Sequence, residues 1–140
     1  MSRTIETFLI SLLLCSLTAC GKDEALVEKA LGEYCRSRSE GQYRAYLDAT
    51  GGDLLLAALR DPATEPRMQT MGSNLAREGI VLVDTYVTSV EIDSIKRQAT
   101  AVYLEKFGKG LKTWAVHHQS HLEYIDQAWR VISDRTLVAR

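Results

Sequence analysis

Hydrophobic positions in the first half of the chain repeat at helical spacing. Between residue 23 and about residue 38, one face collects Val27, Ala30, Leu31, Tyr34 and Cys35. Residues three and four apart share a face of a helix, so this stripe predicts an amphipathic helix. Similar but shorter stripes predict a short helix that begins near Tyr43 and two more over residues 54–60 and about 65–78.

From Ile80 onward, hydrophobic and polar residues alternate with a period of two. The alternation predicts four strands, over residues 80–92, 94–107, 111–124 and 128–137. In the last strand it places Trp129, Val131 and Ser133 on one side. Helices followed by an antiparallel meander predict an α+β fold, in which N-terminal helices pack on one face of a curved antiparallel sheet of about four strands.

An uncharged run, FLISLLLCSL, occupies residues 8–17. It has the length of a signal-peptide core and is shorter than the ~20 residues that cross a bilayer. The residues that follow it, Leu17-Thr18-Ala19-Cys20, resemble the lipobox of a bacterial lipoprotein signal peptide. An ordinary signal peptide and an uncleaved anchor are the alternatives, but neither requires a cysteine at this position.

The lipobox resemblance implies that residues 1–19 are a signal peptide and that residues 20–140 form a single domain facing the periplasm. The Cys20 thiol would carry a diacylglycerol, and its new amino group an acyl chain such as palmitate. Gly21, rather than aspartate, follows the cysteine. This favours the outer membrane over the inner membrane as the site of the anchor in the cell envelope.

The charge balance limits the kinds of partner that the sequence predicts, and the cysteine content limits the disulfides that could form. The chain has 17 basic and 18 acidic side chains, a net charge of −1, so nucleic acid is not a predicted partner. If Cys15 leaves with the leader and Cys20 is lipidated, Cys35 is the last thiol and no intramolecular disulfide can form. Cys35 lies on the apolar stripe, which predicts a buried side chain.

No GxSxG, P-loop, GxGxxG or CxxC motif is present, and no cofactor is predicted.

The order of elements, together with two sequence segments, resembles the NTF2-like (cystatin-like) superfamily. The segments are ALVEKALGEYCRSRSEGQYRAYLD near the start of the domain and YIDQAWRVIS near its end, which resembles the final hairpin of that fold. The resemblance covers nearly all of residues 20–140. It implies a concave sheet, a homodimer formed through the sheet and, in the enzymes of the superfamily, an aspartate or histidine base in the concavity.

All three histidines lie in the segment His117-His118-Gln119-Ser120-His121. On a strand His117 and His121 face the same way about 13 Å apart, too far for one zinc ion with bonds of ~2.1 Å, so no metal site is predicted. His118 and Ser120 then face inward, which indicates a polar pocket in the concave sheet.

The candidate pocket comprises Asp84, Trp114 and His118. Asp84 shares a phase with Leu82 and Tyr86, and from the inner face it could form an acid–base pair with His118. The apolar residues of the opposite phase instead favour a solvent-facing Asp84. No catalytic residue is assigned.

The sequence therefore favours a membrane-anchored, non-enzymatic binding or interaction module of the bacterial envelope, with an envelope protein or a second copy as partner. The alternative is a small-molecule-binding or isomerase-like enzyme that uses the concave sheet pocket. A toxin-neutralising immunity lipoprotein is a third hypothesis.

Overall fold

The computed structural model describes residues 2–138, with side chains described from residue 21 onward. Within them, helices α1 (Ser2–Ser39), α2 (Tyr43–Ala49), α3 (Gly52–Arg60) and α4 (Thr64–Arg77) precede strands β1 (Val81–Asp93), β2 (Gln98–Lys109), β3 (Lys112–Ile125) and β4 (Ala128–Thr136). The predicted α+β architecture is confirmed. In the part of the chain with described side chains, no helix has the length and apolar character needed to span a membrane.

Helix α1 begins at Ser2, earlier than the predicted start at residue 23. The two prolines of the chain, Pro62 and Pro66, both lie after α1, so no proline interrupts the helix. Its apolar stripe is buried as predicted: Val27, Leu31 and Cys35 are fully covered.

The sheet is an antiparallel meander in the order β1-β2-β3-β4. Its inner face packs on α1 through a row of small and apolar side chains: Ala99, Ala101, Leu122 and Val131. The outer edge of β4 is covered where Thr50 bridges Val131 and the Gly51 amide donates to the Val131 carbonyl at 3.0 Å. The core therefore lies in the concavity between α1 and the sheet.

Irregularities in the strand pairing change which side chains face the core. The register shifts in β1 between Leu82 and Asp84 and again between Val87 and Ser89, and the β3–β4 register shifts beside His121. An extra residue in one strand reverses the alternation beyond it. In β4 this corrects the predicted face: Ser133 pairs with His121 and is exposed, while Asp134 pairs with the buried Ser120.

Two glycines give opposite predictions for the same substitution. A Cβ on Gly72 of α4 would lie 2.7 Å from the backbone of Glu40 and Gly41, whereas a Cβ on Gly32 of α1 would meet nothing within 4 Å. We expect Gly72→Ala to lower the free energy of unfolding by about 1–3 kcal/mol because two backbones must separate. Gly32→Ala should raise it by about 0.5–1 kcal/mol because alanine favours the helix. Urea denaturation of both variants tests this, and equal effects would contradict the close helix crossing.

Candidate functional site

Four charged side chains meet between α1 and the inner face of the sheet. They come from four elements, and we call them the charge cluster: Arg38 of α1, Glu105 of β2, His118 of β3 and Asp134 of β4. The side chains of Glu105, His118 and Asp134 are 2, 7 and 8% exposed, and that of Arg38 is 23% exposed. Two cations face two anions when His118 is protonated, so the cluster is balanced in charge.

The periodicity of each helix or strand determines which face carries these four residues. Arg38 lies four residues after Tyr34 and continues the stripe of α1 that packs on the sheet. Glu105 shares one face of β2 with Tyr103 and Phe107, and it pairs with β3 two residues from the Tyr103–His118 pair. The shifted register of β4 brings Asp134 to the same face.

Arg38 joins the sheet through both carboxylates. Its Nη2 forms a short ion pair with Glu105 Oε1, and its Nη1 lies 2.7 Å from Asp134 Oδ2. His118 Nε2 lies 2.6 Å from Glu105 Oε1. His118 Nδ1 lies 3.4 Å from Asp134 Oδ1 but makes no hydrogen bond, so this second contact is electrostatic. Such charge-assisted contacts are stronger than neutral hydrogen bonds.

Neutral hydroxyl groups complete the surroundings of Asp134. Its Oδ1 accepts hydrogen bonds from Tyr103 Oη at 3.1 Å and Ser120 Oγ at 3.0 Å, and its Oδ2 accepts from Tyr34 Oη at 3.3 Å. The Tyr103 ring stacks on His118 with centroids 5.3 Å apart. Hydrogen bonds of this kind favour the ionised carboxylate.

The charges set the protonation states. Burial alone lowers the pKa of His118, but the neighbouring carboxylates of Asp134 and Glu105 outweigh it and raise the pKa to about 9. Burial alone would raise the pKa of Glu105 and of Asp134. His118 and Arg38 outweigh that effect and hold both carboxyl pKa values below their usual range. At neutral pH His118 is therefore a cation between two carboxylates.

Cys35 lies beside the cluster and is the buried residue that the stripe predicts. Burial, with a smaller contribution from the charge of Glu105, raises the pKa of its thiol to about 12. The neutral thiol is a small apolar packing group rather than a nucleophile.

The structure does not bring the three predicted pocket residues together. His118 is buried as predicted. Asp84 is exposed and pairs with Lys106 on the outer face, because the register shift at Val83 separates its phase from that of Leu82. The carboxylates beside His118 are thus Glu105 and Asp134, and the solvent-facing alternative for Asp84 is the observed one.

Trp114 lies at the far end of β3, away from the cluster. It pairs with Phe107 near the β2–β3 turn, its ring stacks on Phe107 at 6.0 Å, and it is 40% exposed. It shares the inner face with His118 but occupies the open end of the sheet.

Arg38, Glu105 and Asp134 are not among the site residues predicted from the sequence. Two of them carried a signal: Glu105 is a charged residue in the apolar phase of β2, and Arg38 is a charged residue on the apolar stripe of α1. Asp134 carried none, because strict alternation places it outward.

The charge cluster forms a closed set of ionic contacts. Among the described residues, no group of three or more His, Cys, Asp or Glu side chains is arranged to hold a metal ion. The Arg38 guanidinium instead supplies the positive charge between the two carboxylates.

No protein-family model matches the sequence, and no curated protein matches it. Solved structures do resemble it. A putative dehydratase of the NTF2-like family from Streptomyces avermitilis superposes with a TM-score of 0.52 at 13% identity, covering 85% of this chain and 99% of that one. The intermembrane space region of the chloroplast protein ARC6 gives 0.51 at 11% identity, covering 80% and 94%.

An NTF-2 like protein of unknown function from Shewanella oneidensis MR-1 gives a TM-score of 0.47 at 12% identity, covering 77% of this chain and 93% of that one. At such identities the likeness is one of fold. The chain has an NTF2-like α+β fold.

Proposed function

We propose that the chain is a lipid-anchored protein of the bacterial cell envelope, whose NTF2-like domain is a non-enzymatic binding or interaction module. The observation that supports the non-enzymatic part of this proposal is the charge cluster. It occupies the inner face of the sheet with two cations and two anions that compensate one another.

The contacts of the cluster argue against catalysis by its residues. A general acid or base must reach the proton that it transfers, directly or through one water. Here His118 Nε2 is engaged by Glu105 at 2.6 Å, and both carboxylates also contact Arg38. Opening these contacts would leave charges buried without partners, at a cost of several kcal/mol. The geometry favours a structural role, in which the cluster fixes α1 to the sheet.

The anchor is supported by the sequence around Cys20, whose side chain lies outside the described residues. Each buried acyl methylene contributes about 0.8 kcal/mol, and one chain alone binds only marginally, whereas a diacylglycerol and an amide-linked acyl chain together hold a protein firmly. Gly21 after the cysteine favours the outer membrane, with residues 20–140 as one domain on the periplasmic side.

Two kinds of partner are compatible with this module: another envelope protein, or a second copy that packs on the outer face of the sheet. That face presents Tyr86, which is 54% exposed, beside Lys106. An amphipathic exposed ring is a common contact at protein interfaces.

An isomerase-like enzyme is the second candidate, favoured by one observation. His118 lies on the concave face between two carboxylates, and its Nδ1 is buried without a hydrogen bond. His118→Ala distinguishes the two functions. It would abolish catalysis by that histidine, whereas co-purification of envelope partners with the folded full chain should persist.

The anchor gives an all-or-none prediction. In a bacterial host supplied with labelled palmitate, the wild-type chain should incorporate label and sediment with membranes, and Cys20→Ser should lose both. Cys15→Ser is the matched control, because it changes a leader cysteine outside the lipobox position and should retain both. Label on the Cys20→Ser protein, or its unchanged sedimentation, would contradict the anchor.

A further inference from the structure

Two adjoining clefts run between α1 and the segment that joins β3 to β4. One has a volume of about 360 Å³ and continues against α2, and the other has a volume of about 180 Å³ and reaches Tyr124. We call them together the α1–hairpin groove. Both are lined by the same central residues: Ala30, Glu33, Ala128 and Trp129. The four residues of the charge cluster do not line it.

Trp129, which lines both clefts, carries an unpaired hydrogen-bond donor just beneath the surface of the protein. The residue is 6% exposed, and its indole Nε1 is buried without a hydrogen-bond partner among the described residues. Leaving a buried donor unpaired costs about 1–3 kcal/mol, so native proteins satisfy the great majority of such groups. The structure therefore leaves a donor for which an incoming acceptor would be favourable.

The dimensions of the groove match a short extended chain. Along α1 it spans residues 26 to 37, which at 1.5 Å per residue is about 16 Å. An extended peptide rises about 3.3 Å per residue, so this length accommodates about five residues. The floor is built from alanines, which leave room for a backbone to approach closely: Ala30, Ala45, Ala49 and Ala128.

Charges of both signs border the groove. Lys29 and Arg36 supply positive charge, and Glu33 and Asp48 supply negative charge. Lys29 and Glu33 are only 3.9 Å apart but largely exposed, so their pairing is weak and either can be exchanged for a ligand. A border of mixed sign suits a peptide with charged side chains of both signs and does not suit a polyanion.

We propose that the α1–hairpin groove binds an extended peptide segment of a partner protein, with a main-chain carbonyl of that peptide accepting a hydrogen bond from Trp129 Nε1. This inference rests on the proposed binding function and assigns a site to it. Nε1 is covered in the unliganded chain, so the peptide displaces a bordering side chain as it enters, a rotamer change that exposed side chains make within nanoseconds.

The test is a titration of the ¹⁵N-labelled full chain in detergent with N-acetylated, C-amidated pentapeptides that vary at the central position. The readout is the indole N–H cross-peak of Trp129, assigned with a Trp114→Phe variant. At least one peptide should move this peak downfield and saturably, since the amide gains an acceptor. The cross-peak of Trp114, on a different part of the sheet, is the internal control and should not move.

Two alanine substitutions separate groove binding from surface adhesion. Ala45 and Ala57 are both exposed helical alanines, but only Ala45 lines the groove. Ala45→Leu should weaken the binding of the responsive peptide about tenfold or more, and Ala57→Leu should leave it unchanged. A Trp129 peak that no peptide moves, or equal binding by the Ala45→Leu protein, would overturn the proposal. Neither outcome depends on lipid at Cys20, so failure of the groove is distinguishable from failure of the anchor.

Discussion

Replacing Glu105 by alanine should lower the free energy of unfolding by about 3–5 kcal/mol, a large share of the stability of a small domain. Glu105 is 2% exposed and contacts both Arg38 and His118. Its removal leaves two cations in the interior with Asp134 as their single counter-charge. Denaturation in urea, followed by circular dichroism, measures the loss.

Two further variants identify the cause of that loss. Glu91→Ala removes an exposed glutamate from β1 and should change the stability by less than about 0.5 kcal/mol. The double variant Arg38→Met with Glu105→Leu removes one cation and one anion together, so it should regain most of the stability lost in Glu105→Ala. A loss below about 1 kcal/mol in Glu105→Ala would contradict a buried charge cluster, as would a double variant no more stable than the single one.

Raising the pH from 6.5 to 9 should destabilise the fold by roughly 3 kcal/mol, at 1.36 kcal/mol per pKa unit. The pKa of His118 rises from 6.5 when unfolded to about 9 when folded, because two carboxylates outweigh the effect of burial. The native state therefore holds a proton that the unfolded state has released in this range. The stabilisation is fully present below pH 6.5 and is lost as the pH rises through 9.

The carboxylates act in the opposite direction at low pH. The pKa values of Glu105 and Asp134 are lowered from 4.5 and 3.8, so their contribution is lost as the pH falls below those values. Stability should be greatest near pH 5–6.5. His118→Gln should flatten the fall between pH 6.5 and 9, while His117→Gln, at an exposed position on the same strand, should keep it. A flat profile in the wild-type chain over this range would contradict the protonated His118.

The cluster also bears on how an anchor would act on the domain. Arg38 lies near the C-terminal end of α1, a helix that has residue 20 at its middle, and it contacts carboxylates on β2 and β4. A force applied through a lipid at Cys20 would pass along α1 to the sheet at this point. A peptide bound in the α1–hairpin groove would contact the same helix.

Much of the fold could be predicted from the sequence because periodicity reports burial directly. The stripe through Val27, Leu31 and Cys35 and the alternation in β2 both lead to the buried faces that the structure shows. The start of α1 could not be predicted from periodicity, because residues 8–17 are apolar on every face and form no amphipathic stripe.

The candidate site could be predicted only in part. His118 and Ser120 follow from alternation, because no register shift interrupts β3 before them. Asp134 lies beyond an extra residue in β4 and faces opposite to the phase that simple alternation assigns. In β1, an extra residue separates the phase of Asp84 from that of Leu82, so the sequence left two faces open for Asp84. Bulges depend on the pairing between strands, which a single strand sequence does not specify.

Mass spectrometry of the protein purified from its native host tests the proposed anchor most directly. We expect a mature chain that begins at Cys20, with a diacylglycerol on the sulfur and an acyl group on the amine. A chain that retains Met1, or one that carries an unmodified thiol at Cys20, would contradict it.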